Sequence, residues 1–169
     1  MYQNLDMWKM FIPILIVLSA LIIANCNSKM SSENDPIVPV SDDDQEMNSA
    51  MQKARSTLNE FIERFTHPKT SDKWFLVKGR FTHKGQIEHI WMADLVLDGK
   101  FFSGVLANEP EYPGLKFKQK VSVPLDNISD WMYVSDGRLM GGFTIRVLYG
   151  RMSPEERKRD DAERPYRID

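Results

Sequence analysis

The chain has 169 residues, enough for one domain of ordinary size with its own apolar core. Twenty-two Lys and Arg stand against 24 Asp and Glu, a formal net charge of −2, and no element carries a cluster of bases. So balanced a surface lacks the electrostatic footprint of a polyanion binder, which excludes a nucleic-acid partner. A single cysteine permits no internal disulfide, and neither it nor the three histidines stand at zinc-site spacing, so no metal or other cofactor is called for.

From Met10 to Ala24 every residue is apolar or small. This run is shorter than the roughly 20 residues that span a ~30 Å hydrocarbon core and fits the apolar region of a secretory signal. Ile23-Ala24-Asn25-Cys26 resembles the lipobox of bacterial lipoproteins, in which the cysteine is acylated and becomes the new N-terminus. Asn25 departs from the small residue that normally precedes that cysteine. An uncleaved single-pass anchor with its N-terminus inside and a soluble cleaved product stay open beside the lipid anchor. Residues 1–25 are therefore expected to be a signal peptide or membrane anchor, Cys26 the lipidation site, and everything beyond it extracytoplasmic. In a Gram-negative envelope, Asn27 after the cysteine suggests outer-membrane sorting. Residues 26–41 read as a flexible linker, with two prolines and no apolar period, and six acids without a base lie between Glu33 and Glu46.

Residues 42–169 form the expected domain. Met47, Ala50, Met51, Ala54, Leu58, Phe61, Ile62 and Phe65 fall at helical spacing and predict an amphipathic helix ending before Pro68. Ser41 and Asp44 resemble a capping pair at its start. From Lys73 onward the pattern turns to period two, with strand-like runs at 73–81, 86–97, 100–106, 120–123, 128–134 and 138–148. Lys84-Gly85, Asp98-Gly99 and Asp136-Gly137 mark hairpin turns, and Gly141-Gly142 reads as a bulge within the last strand. Alternation places Ile87, His89, Trp91, Ala93, Leu95 and Leu97 on one face of the second strand, with Glu88 and Asp94 opposite. Phe75, Val77 and Phe81 share a face of the first strand, and Phe143, Ile145 and Val147 a face of the last. Thr144 and Arg146 fall on that strand's partly solvated side. Ser153-Pro154 has the order of a helix start.

Glu88-His89-Ile90-Trp91, Gly104, Asn108-Glu109-Pro110, Ile128-Ser129-Asp130-Trp131-Met132 and Gly141–Leu148 resemble the YegJ-like family, a bacterial domain of unknown function (DUF2314). The resemblance covers roughly residues 43–160 and implies a fold but no established activity. The turn before Val121 usually carries a glycine in that family, whereas here it is Phe117-Lys118-Gln119.

The fold class that follows is α+β: an N-terminal amphipathic helix on a strongly curved antiparallel sheet, a meander or small open barrel, then a short C-terminal helix. No Ser or Cys nucleophile has a base beside it, so no catalytic residue is named. Candidate binding residues are Glu88 and His89 on the second strand, Asn108 and Tyr112 in a proline-containing loop, and the Asp130-Trp131 pair. The Asp130 carboxylate needs partners if buried, and Trp131 either lines a groove with Tyr133 or fills the core. The expected function is a non-enzymatic, membrane-anchored binding module whose partner is the membrane together with an unknown protein or small ligand. The alternatives are a small hydrolase using Glu88, His89 and Asp130, and an immunity-type inhibitor.

Overall fold

The computed structural model describes residues 44–111 and 114–169. The leader 1–25, Cys26, the linker 26–41, Ser41 and Tyr112 lie outside the described residues. Among the described residues four α-helices and six strands follow in chain order: α1 Gln45–Ser56, α2 Leu58–Thr66, β1 Asp72–His83, β2 Gln86–Asp98, β3 Phe101–Leu106, β4 Lys120–Pro124, β5 Ile128–Ser135, β6 Arg138–Gly141, α3 Phe143–Arg151 and α4 Pro154–Glu163. The strands make one antiparallel sheet in the order β4-β3-β2-β1-β5-β6. It is not a simple meander, because β5 crosses back to pair with β1. It is also open, with β4 and β6 at its edges. Among the described residues, no helix is long and apolar enough to cross a membrane.

The apolar stripe of residues 47–65 is helical but is cut in two at Thr57. The Thr57 hydroxyl bonds back to the carbonyls of Lys53 (2.8 Å) and Ala54 (3.3 Å), and its backbone leaves helical geometry at φ −110°, ψ 9°. Such back-bonding competes with the helical ladder and bends it. Asp44 is itself the N-cap of α1, accepting from Met47 N at 3.1 Å.

Both faces of the sheet are covered. On one, α1 and α2 bring Ala54, Leu58 and Phe61 onto Val77, Ile90, Met92, Phe102, Trp131 and Tyr133. Phe61 is fully buried, with five aromatic rings within 5.4–6.5 Å. On the other, Leu76, Trp91, Ala93, Met132, Val134 and Leu139 are roofed by Tyr166, with Ile145 and Ile168 against them. Phe75, Val77 and Phe81 do share a face. The second strand departs from strict alternation. A bulge at Asp94 (φ 51°) shifts the register between Ala93 and Val96, so Leu95 and Leu97 join the layer opposite Trp91 and Ala93. Ile87, expected on the apolar face of that strand, is 45% exposed and pairs with Thr82 near the hairpin turn.

The last expected strand is the largest correction. Only Arg138–Gly141 is strand, and residues 143–151 are helix. Gly141 and Gly142 both lie in the left-handed region (φ 68° and 60°), which turns the chain out of the sheet instead of bulging it. Phe143, Ile145 and Val147 thus share no strand face. Thr144, expected on a solvated side, is buried. The C-terminal helix α4 has its Ser153 cap, Pro at the first turn and a full capping box through Glu156.

Two of the hairpin signals act as read: Lys84-Gly85 (φ 47°, 83°) and Asp136-Gly137 (φ 50°, 73°) are the central pairs of two-residue turns. Between β2 and β3, Asp98 pairs with Phe101, so the turn is Gly99-Lys100. Before β4, Lys118 sits at φ 64°, in the turn where the resembling family usually carries a glycine. A side chain there costs about 1 kcal/mol. Lys118→Gly should therefore raise the unfolding free energy by roughly 0.5–1 kcal/mol, read from the urea midpoint. A destabilised variant would mean that contacts of the lysine outweigh its backbone strain.

Candidate functional site

The polar groups that meet inside this fold lie at the start of β5. Ser129 is the extra residue of a bulge, because Lys78 pairs with Asp130 and Gly79 with Ile128. The bulge separates residues expected on one face: Ile128 packs into the helix-side core, while Met132 belongs to the opposite cluster. Asp130 is fully buried. One of its oxygens accepts from Trp131 N (2.8 Å) and Phe143 N (3.2 Å), the other from Thr144 N (2.8 Å) and Thr144 Oγ1 (2.6 Å). The carboxylate therefore caps α3 from a strand thirteen residues upstream, where the helix presents free N–H groups and the positive end of its dipole.

Lys78 closes the network. Its Nζ donates to Thr144 Oγ1 at 3.3 Å and stands 5.4 Å from the centre of the Trp91 ring. Burial pushes the Asp130 carboxyl above the usual aspartate range, against the hydrogen bonds from Thr144 and Trp131 and the charge of Lys78. Burial likewise pulls the Lys78 ammonium below its usual range, against the charge of Asp130. Four donors on two carboxylate oxygens fill its acceptor sites and tie Asp130 to the start of α3. Its work is structural.

Trp131 is core. It is 5% exposed, donates Nε1–H to Ala54 O at 3.0 Å and stacks with Tyr133 at 6.2 Å. Asn108 extends the sheet, its Oδ1 accepting from Trp91 N at 2.9 Å. Glu88 holds the following loop through Glu111 N at 2.9 Å. His89 faces the other way, its Nδ1 2.7 Å from Ser129 Oγ. Burial first, then the charges of Lys78, Arg80 and Arg55, bring its pKa down to about 4. Glu88, His89 and Asp130 thus have separate partners and form no shared hydrolytic arrangement. Among the described residues no group of three or more His, Cys, Asp or Glu is placed to hold a metal ion.

Sequence reasoning missed Lys78, Ser129 and Thr144. Nothing local marks them, since their partners lie 14–66 residues away. The Gly141-Gly142-Phe143-Thr144 run was the available signal, read as a strand bend when it is a helix start.

The family model described as an uncharacterized protein conserved in bacteria, DUF2314, matches residues 44–165. The chain belongs to the DUF2314 family. That match begins at the N-cap of α1 and ends at the residue before Tyr166. The chain is similar to an uncharacterized protein, YegJ, of Escherichia coli strain K12, with 33% identity over 144 residues, 85% of this chain and 92% of that one. It is also similar to a putative ankyrin repeat protein of Neisseria meningitidis serogroup B. There the identity is 37% over 128 residues, 70% of this chain and 51% of the other, so the chain spans about half the length of that relative. No solved structure matches.

In this DUF2314 domain, Asp130→Asn places an amide N–H₂ among four donors while keeping the shape. It should cost about 2–4 kcal/mol in urea unfolding, the range for breaking a buried charge network on one side. A loss below ~1 kcal/mol would show that the carboxylate does not hold α3 in place.

Proposed function

We propose that this DUF2314 chain is a non-enzymatic binding module held at a bacterial membrane by an acylated Cys26, with its domain in the cell envelope. The observation that carries the reading is the leader itself: an apolar run from Met10 to Ala24, a cysteine two residues on, and an acidic linker without helical pattern before the domain. The domain's construction supports it. Two of its buried charges, Lys78 and Asp130, are bound up with Thr144 and the start of α3, and the candidate carboxylate Glu88 is bound up with a loop. The start of α1 is clamped to the end of α3. Arg151 reaches both oxygens of Asp44 at 2.7 Å and Glu46 at 3.0 Å, holding the Asp44 carboxyl down at about 2. A tether pulling on residue 44 would therefore pull on α3 as well as α1. The chains of a bacterial lipoprotein anchor stably, whereas one acyl chain holds only marginally.

Labelled palmitate fed to expressing cells should enter the protein, and Cys26→Ala should abolish the label. Mass spectrometry of the membrane-bound protein showing an intact Met1 and an unmodified Cys26 would contradict the lipid anchor and establish an uncleaved one.

A further inference from the structure

The far end of the β1–β2 hairpin projects beyond the rest of the sheet. β5 pairs with β1 only as far as Gly79, and β3 pairs with β2 only as far as Met92, so residues 80–83 and 86–89 have only each other as strand partners. Within this ribbon Arg80 lies directly opposite His89, with Cβ atoms about 5 Å apart.

The protonation pattern of His89 follows from its neighbour. Ser129 Oγ donates to Lys78 O at 3.1 Å, so its lone pairs receive the Nδ1–H of His89 at 2.7 Å. That fixes the neutral tautomer, with a lone pair on Nε2. Nε2 takes no hydrogen bond among the described residues, and the ring is only partly buried. The Arg80 guanidinium is exposed and has no ion-pair partner among the described residues. The charges that reach the ring are all positive: Lys78 and Arg80 from β1 and Arg55 from α1. Asp130, the acid of β5, is turned onto α3.

We propose that Arg80 and His89 form a phosphate site on this ribbon, whose ligand is a small molecule bearing a singly protonated phosphate group. An anion is called for by the exposed Arg80 cation, which has no ion-pair partner among the described residues. The hydrogen is required by the imidazole: Nε2 accepts, and only an anion with an O–H can donate to it while its other oxygens accept from the Arg80 fork. Carboxylate and sulfate satisfy the arginine and leave the imidazole lone pair opposed to an oxygen lone pair. A monoanionic phosphate meets both. This site goes beyond the anchoring reading and does not depend on it, since Cys26 has no part in the ribbon.

The test is nitrogen NMR of the full chain in detergent, with ¹⁵N-labelled histidine, at pH 6, titrated with inorganic phosphate and separately with sulfate and acetate. The His89 ring resonances should shift saturably with phosphate, at least about tenfold more tightly than with sulfate or acetate. Arg80→Gln, at an exposed position, should remove the saturation, whereas Lys158→Gln on α4 deletes the same charge elsewhere and should leave it. Absence of a saturable phosphate shift would overturn the site. Equal losses in the two variants would reduce it to non-specific charge attraction, and sulfate binding as tight as phosphate would overturn the role given to Nε2.

Discussion

The buried carboxylate of Asp130 is the joint on which the rest of this domain depends. Taking an ion of this kind out of water costs several kcal/mol, and only a full set of donors and an opposite charge offset that. Here the donors are Trp131 N, Phe143 N, Thr144 N and the Thr144 hydroxyl, and the charge is Lys78. The set can assemble only if three separate pieces of chain are in position. The Ser129 bulge must aim Asp130 at the face of Lys78 and Met132. Gly141 and Gly142 must turn the chain left-handed, and a Cβ on Gly141 would stand 2.4 Å from both the ring and the carbonyl of Trp131. The helix must then begin at Phe143.

Placing α3 in this way organises its neighbours. Phe143 meets Trp131 edge-on at 5.5 Å, and Trp131 binds the Ala54 carbonyl of α1. Arg146 reaches back to the carbonyls of Gly141 (2.9 Å) and Leu139 (2.7 Å) and out to the Asp169 backbone oxygen (2.8 Å). Arg151, at the far end of α3, clamps Asp44 and Glu46 at the start of α1. The segment around residues 167–169 also covers the β6 edge, since Leu139 N donates to Arg167 O at 2.8 Å and Arg167 N to Gly137 O at 2.9 Å. An open sheet is exposed to pairing at its edges, and this contact blunts one of them. The other, β4, is five residues long and ends in Pro124.

Much of this architecture was legible in the sequence wherever local chemistry decides it. The stripe from Met47 to Phe65, the glycine turns at 85 and 137, and the Ser153-Pro154 helix start all follow from rules that act within a few residues. The failures share one cause: a distant partner outvotes the local pattern. FTIRVL alternates like a strand, yet Asp130 supplies the donors' partner that makes Phe143 a helix start. The second strand alternates from Ile87 to Leu97, yet the bulge at Asp94 sends its two halves to opposite layers. The candidate site shows the same division. That Asp130 would need partners if buried, and that Trp131 could fill the core, was readable from their types and neighbours. The Lys78–Thr144 and His89–Ser129 contacts depend on a bulge that no local signal announces.

The proposed anion site lies where the sheet runs out. The interior charges are engaged in holding α3, and the aromatic pair Trp131 and Tyr133 is engaged in the core. What the ribbon presents instead is a cation that has no ion-pair partner among the described residues, opposite an imidazole whose Nε2 takes no hydrogen bond among them. Native-state amide exchange tests the central claim most directly, because it reads the stability of α3 separately from that of the sheet. In the unaltered protein the amides of Phe143 and Thr144 should exchange only through global unfolding, as slowly as those of the central strand β1. In Asp130→Asn they should exchange through a local opening, while β1 amides stay protected to the remaining global stability. Loss of protection by the same amount in α3 and β1 would contradict the account, since it would show that the carboxylate adds to overall stability without holding the helix.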